Sequence, residues 1–141
     1  MKRRMVLGVL SIFGVGTAFA QAKKPAAGKQ RVVFQVSDND PAKWNLALNN
    51  AKNVQTDLGK DKVQIEIVAY GPGLNMLKSE SSVGGRLAGA LDDSVGLIAC
   101  ENTMTNTKVS RSQMYDGIAY VKAGVTHIMK RQQEGWAYIR P

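Results

Sequence analysis

Cysteine is almost absent from this sequence: of 141 residues only Cys100 carries a thiol, so no disulfide can close within the chain. Exported domains ordinarily use cysteines in pairs, and a solitary one means an intermolecular bond, a reactive thiol or simple burial. Histidine is as scarce. His127 stands alone, next to Ile128 and Met129, with no cysteine or carboxylate at ligand spacing, and one imidazole is poor material for a metal centre, so no metal is expected. Aromatic residues make up 6% of the chain, too few to interleave with the basic residues as a base-stacking nucleic-acid face requires, and no nucleic-acid partner is expected. There is no Ser/His/Asp triad signature, no phosphate-binding P-loop and no dinucleotide fingerprint. The commonest enzymes of α/β folds are thereby excluded, and no cofactor is expected.

Long apolar runs are also missing, apart from one at the start. Lys2, Arg3 and Arg4 precede an uncharged stretch from Met5 to Phe19, and Ala18-Phe19-Ala20 before Gln21 fits the small-x-small rule of signal-peptide cleavage. The stretch holds three glycines and is shorter than the ~20 apolar residues of a membrane span. A signal peptide over 1–20 is expected, with cleavage after Ala20, a periplasmic location and no membrane attachment afterwards. Those three basic residues account for three of the net charge of +8, leaving +5. Lys23, Lys24, Lys29 and Arg31 around Pro25-Ala26-Ala27-Gly28 predict a disordered leader over 21–30. The remaining 31–141 is the right size for one domain.

Within that domain, short β-branched runs alternate with helical patterns. Arg31–Val36 reads as a strand, and Asp40-Pro41 as a helix start, with Asp40 as N-cap and Pro41 at the first helical position. The helix is predicted from Pro41 to Leu58, with Trp44, Ala47, Leu48, Ala51, Val54 and Leu58 as its buried stripe and Gly59 as its stop. Val63–Tyr70 alternates at first, with Gln64 and Glu66 at the polar positions, and then becomes continuously apolar. A helical segment is expected from Leu74, interrupted near Gly84-Gly85, with Val83, Leu87, Ala90 and Leu91 inward. Val95–Cys100 reads as a buried strand and Glu101–Ser110 as a polar turn region. Ile118–Val121, Val125–Glu134 and Trp136–Ile139 read as strand, helix and strand, the helix burying Val125, Ile128 and Met129. This alternation predicts right-handed crossovers and a parallel sheet covered on both faces.

In such a sheet ligands gather at the carboxyl ends of the strands, which here brings Ser37–Asp40, Tyr70–Asn75 and Cys100–Thr105 to one edge. Cys100 is the candidate catalytic residue. Thr103 and the amides of Glu101 to Met104 are its expected donors, favouring the thiolate, while the Glu101 carboxylate opposes it. Ser37, Asp38, Tyr70, Gly71, Gly73, Asn75, Asn102 and Thr103 are the candidate ligand-binding residues. Lys108 and Arg111 read as solvated charges, with anion binding near Cys100 the sharper alternative. Two readings of Cys100 stay open, nucleophile and small buried hydrophobe.

Four segments resemble the DsrE/DsrF-like family, in particular its exported single-domain branch: Glu66–Leu74, Ala99-Cys100-Glu101-Asn102-Thr103-Met104, Ala123-Gly124-Val125 and Arg131–Pro141. The helix around Trp44 to Asn53 adds to the likeness. The resemblance implies a three-layer α/β/α fold with a five-stranded parallel sheet and subunits that associate as trimers or hexamers. It also implies a sulfur-relay role, in which a cysteine after the third strand carries sulfur as a persulfide between a donor and an acceptor protein; Cys100 stands at that position. Carrier action rather than turnover catalysis is what this implies. The residues around the thiol, Cys-Glu-Asn-Thr-Met, differ from those of the cytoplasmic carriers, and a non-catalytic ligand- or partner-binding oligomer with a structural cysteine is the alternative.

Overall fold

A computed structural model describes residues 28–141. The expected signal peptide, and the leader as far as residue 27, lie outside the described residues; Gln30, expected at the end of that leader, instead opens the first strand.

Five strands form one parallel sheet: β1 (Gln30–Val36), β2 (Val63–Ala69), β3 (Gly96–Cys100), β4 (Ala119–Val121) and β5 (Ala137–Ile139), in the spatial order β4-β3-β2-β1-β5. Four helices connect them: α1 (Pro41–Leu58), α2 (Gly84–Asp92), α3 (Glu101–Asn106) and α4 (Gly124–Gln133). The chain steps outward from β1 through β2 and β3 to β4, then returns beneath the sheet by α4 to lay β5 against the free side of β1.

Local chemistry accounts for α1. The Asp40 carboxylate accepts a hydrogen bond from the Ala42 amide at 2.9 Å, Pro41 occupies the first turn, and Gly59 at φ 96° takes a backbone conformation costly for any residue with a Cβ. Trp44, Ala47, Leu48 and Ala51 are buried as expected, but Leu58, the last residue of the helix, is 40% exposed.

The two faces of the sheet are unequal. On one, Val32, Phe34 and Val36 of β1, Ile65, Ile67 and Ala69 of β2 and Leu97 and Ala99 of β3 pack with α1, Leu87 of α2 and Leu74, Met76 and Leu77 of a 3₁₀ turn over Gly71–Leu77. That turn stands where the start of the helix was expected from Leu74, with Gly73 held against the Val36 carbonyl. On the other face a small core of Val33, Val68, Ile98, Ile128 and Trp136 lies under α4. The fold is therefore a three-layer α/β/α with a five-stranded parallel sheet.

Two sequence expectations fail on the thin layer and its neighbourhood, and one burial there was not anticipated. Glu101–Asn106, expected as a polar turn, is helical, its Thr103 and Met104 buried. Val125 and Met129, expected inside, are 60% and 50% exposed; the buried residues of α4 are Gly124 and Ile128. Glu66, at a polar position of an alternating strand, is buried because β2 is central and α4 lies across it.

Candidate functional site

The parallel register aligns Val68 with Ile98 and Val36 with Ala69, so Ser37, Tyr70 and Cys100 follow one another at the carboxyl edge, as expected. Side chains alternate across a strand. Cys100 thus shares the α4 face with Ile98, while Thr103, from α3, bridges the edge.

Cys100 is 5% exposed. As a thiol it donates weakly to the Lys122 carbonyl at 3.9 Å. Burial pushes its pKa up, but the Thr103 hydroxyl and the amides of Gly124, Thr103 and Asn102 favour the anion and together outweigh burial, so the thiol titrates below its ordinary value. The Asn102 and Thr103 amides lie within the expected donor segment. Gly124, the first residue of α4, is a donor that the sequence gives no means of placing here. The Glu101 carboxylate, expected to oppose ionisation, turns instead toward Arg111 at 3.6 Å. Arg111 also stacks on Tyr120, 4.1 Å from the ring centre, and so is held on the surface rather than at the thiol. Lys108 is exposed.

Two glycines allow the close approaches that build this edge. A Cβ on Gly124 would come within 3.1 Å of Tyr70 Cβ and 3.2 Å of Val68 Cγ1, so glycine lets the amino end of α4 settle over Tyr70 without crowding. A Cβ on Gly73 would overlap the Val36 carbonyl and come within 2.9 Å of Ser37 Cα. That contact draws the 3₁₀ turn onto the end of β1, and the Tyr70 amide donates to the Val36 carbonyl at 3.1 Å.

The remaining candidates divide. Tyr70 joins Cys100; burial and the neighbouring Tyr138 raise its phenol pKa, against the pull of Arg140, and keep it a neutral donor. Ser37 accepts from the Gln35 carboxamide at 3.0 Å, and Gln35 in turn accepts from Tyr138, giving a polar chain across β1 to β5. Asp38 is committed to structure: the hydrogen bond from Lys43 at 2.6 Å, with Arg140 further off at 3.7 Å, holds its carboxyl below the usual range, and its carbonyl accepts from Trp44 Nε1 at 2.8 Å. The Gly71 amide donates to Thr103 Oγ1 at 2.9 Å. Asn75 lies away from the sulfur, in a recess with Gly71 and Thr103. Asn102 has an exposed side chain, and its amide also meets the Lys122 carbonyl at 3.0 Å.

A buried ionic cluster went unread in the sequence. Glu66 accepts from Arg131 Nη2 at 2.7 Å and Nε at 3.0 Å, and its Oε2 lies 2.7 Å from His127 Nε2. Arg131 also donates to Glu134 at 2.9 Å and lies 4.7 Å from the centre of the Trp136 ring. The Glu66 pair raises the Arg131 pKa. His127 is therefore a pin holding α4 to the sheet. Among the described residues no group of three His, Cys, Asp or Glu side chains is placed to hold a metal ion, and no helix is long and apolar enough to cross a membrane.

No protein-family model and no curated protein matches the chain. Among solved structures, BT1422 from Bacteroides thetaiotaomicron, a conserved protein of unknown function, is 14% identical with a TM-score of 0.60, over 79% of this chain and 95% of its own, a likeness of fold. MTH1491 from Methanobacterium thermoautotrophicum, a protein of unknown function, superposes with a TM-score of 0.76 over 80% of this chain and 100% of its own. At 37% identity across the whole of that structure, the chain belongs to the same protein family as MTH1491.

Proposed function

We propose that this protein is a sulfur carrier of the DsrE/DsrF-like type, exported to the periplasm, in which Cys100 takes up one sulfur as a persulfide and passes it to an acceptor. The observation that carries the reading is the position of the thiol: the one cysteine stands at the carboxyl edge of a parallel sheet, where the Thr103 hydroxyl and the amides of Gly124, Thr103 and Asn102 hold its pKa below the ordinary value against the effect of burial. Such donors stabilise an anionic sulfur, which is the nucleophilic form.

The chemistry needs no cofactor. The Cys100 thiolate attacks the terminal sulfur of a polysulfide; the new S–S bond forms as the old one breaks, and the shortened polysulfide leaves with the electron pair. An acceptor thiolate then attacks the outer sulfur of the persulfide and restores the Cys100 thiolate. With Cys100 5% exposed, uptake requires the amino end of α4 to draw back from Tyr70. Exposed Val125 and Met129 on α4, and Tyr138 and Ile139 on the edge strand β5, support association of subunits into a trimer or hexamer.

The burial of Cys100 favours a second reading, a non-catalytic ligand-binding oligomer with a structural cysteine. One experiment separates them. Polysulfide treatment followed by intact-mass measurement should show a gain of one sulfur atom that dithiothreitol removes and Cys100→Ser abolishes. A thiol that resists both alkylation and polysulfide until denaturant is added would refute the carrier.

A further inference from the structure

The carboxyl edge carries a second feature that sulfur transfer leaves unused. Between the 3₁₀ turn Gly71–Leu77 and α3 opens a recess of about 380 Å³, within the ~300–1,000 Å³ of small-molecule sites. Leu74 and Val109 give it apolar walls, and Asn75, Asn106 and Lys78 are its polar lining residues. Thr103 forms its inner limit.

Lys78 is the informative residue. Lys43, Lys52 and Lys60 each pair with an aspartate. Lys78 is half-buried and makes no ion pair among the described residues. Partly desolvating a cation without a counter-charge is unfavourable, and a bound anion would offset that cost. No acid lines the recess, whereas Glu80 lines a separate hollow of about 350 Å³, beside Trp44, that Lys78 and Asn75 also border. An anion is therefore favoured on the Asn106 side and repelled on the other.

We propose that this recess binds a small organic anion, a carboxylate with a short apolar body, whose charge meets Lys78 and the carboxamides of Asn75 and Asn106 and whose body lies between Leu74 and Val109. Its occupancy reaches the thiol through Thr103. The Thr103 hydroxyl oxygen accepts the Gly71 amide at 2.9 Å, and the same side chain borders Cys100. A ligand that shifts Gly71 or α3 alters the donor set at the sulfur from the opposite side of the sheet edge. The proposal stands apart from sulfur transfer, since Cys100 serves only as its reporter.

The test is a titration of the isotopically labelled protein with benzoate, followed by amide NMR, with benzamide as the uncharged control and the rate of Cys100 alkylation by iodoacetamide measured in parallel. Benzoate should shift the amides of Gly71, Asn75 and Thr103 with saturation in the millimolar range, and Lys78→Gln should weaken that binding at least about tenfold with the rest of the spectrum unchanged. Asn75→Ala should weaken it as well, Cys100→Ser should leave it intact, and alkylation should change severalfold at saturation. Equal shifts from benzamide, shifts that never saturate, or undiminished binding by Lys78→Gln would overturn the site. Saturable binding with an unchanged alkylation rate would overturn the link through Thr103. Because Cys100→Ser is included, failure of the carrier reading leaves this result legible.

Discussion

Replacing Gly124 with alanine tests how the structure tunes its thiol. The added methyl would meet Tyr70 Cβ at 3.1 Å, Tyr70 Cδ1 at 3.2 Å and Val68 Cγ1 at 3.2 Å. Val68 is fully buried, and Tyr70 Cβ is fixed by its own backbone, so neither yields readily. The amino end of α4 must lift instead, at an overpacking cost of about 1–3 kcal/mol. Lifting it withdraws the Gly124 amide from Cys100. A hydrogen bond to a charged acceptor contributes about 1.5–3 kcal/mol, which at 1.36 kcal/mol per unit raises the thiol pKa by roughly one to two units. The pH profile of iodoacetamide labelling, read by mass spectrometry on wild type and Gly124→Ala, measures the shift, while circular dichroism confirms that the variant is folded. A folded variant with an unchanged labelling profile would refute the claim that the end of α4 stabilises the thiolate.

Three further outcomes follow from the geometry. Gly73→Ala forces a methyl into the Val36 carbonyl and Ser37 backbone, so it should destabilise by more than roughly 3 kcal/mol or prevent folding; a thermal midpoint within a few degrees of wild type would contradict the close approach. Glu66→Gln leaves Arg131, still paired with Glu134, and His127 facing a neutral amide and should cost about 1–3 kcal/mol in denaturant unfolding; no measurable loss would mean that the cluster does not pin α4. The Cys100 thiol has a folded pKa below its unfolded value, so its contribution to stability is fully present above the unfolded value of ~8.5 and is lost as pH falls through the folded one. The stability gap between wild type and Cys100→Ser, under reducing conditions, should therefore widen with rising pH across that window, and a constant gap would show that the amides do not favour the anion.

Sequence and tertiary structure divide the labour along a physical line. Asp40, Pro41 and Gly59 bound α1 because capping, a missing amide and a positive φ act within one turn of chain, and those signals are complete in the residues themselves. The alternation of β-branched runs with helical periods likewise specifies parallel crossovers, and so places Ser37, Tyr70 and Cys100 at one edge. Charge partners obey no such local rule. Glu66 meets His127 and Arg131 across 61 and 65 residues, and its alternating strand gives no hint that the carboxylate is buried, because only the return of α4 over β2 covers it. Val125 and Met129 have the spacing of a buried stripe yet face outward, since the glycine and the ionic pin fix the rotation of α4 against the sheet. The thiol followed the same division: its place at the strand end is a property of the chain, whereas its ionisation depends on an amide delivered from Gly124, 24 positions onward, by the packing of a helix on a tyrosine.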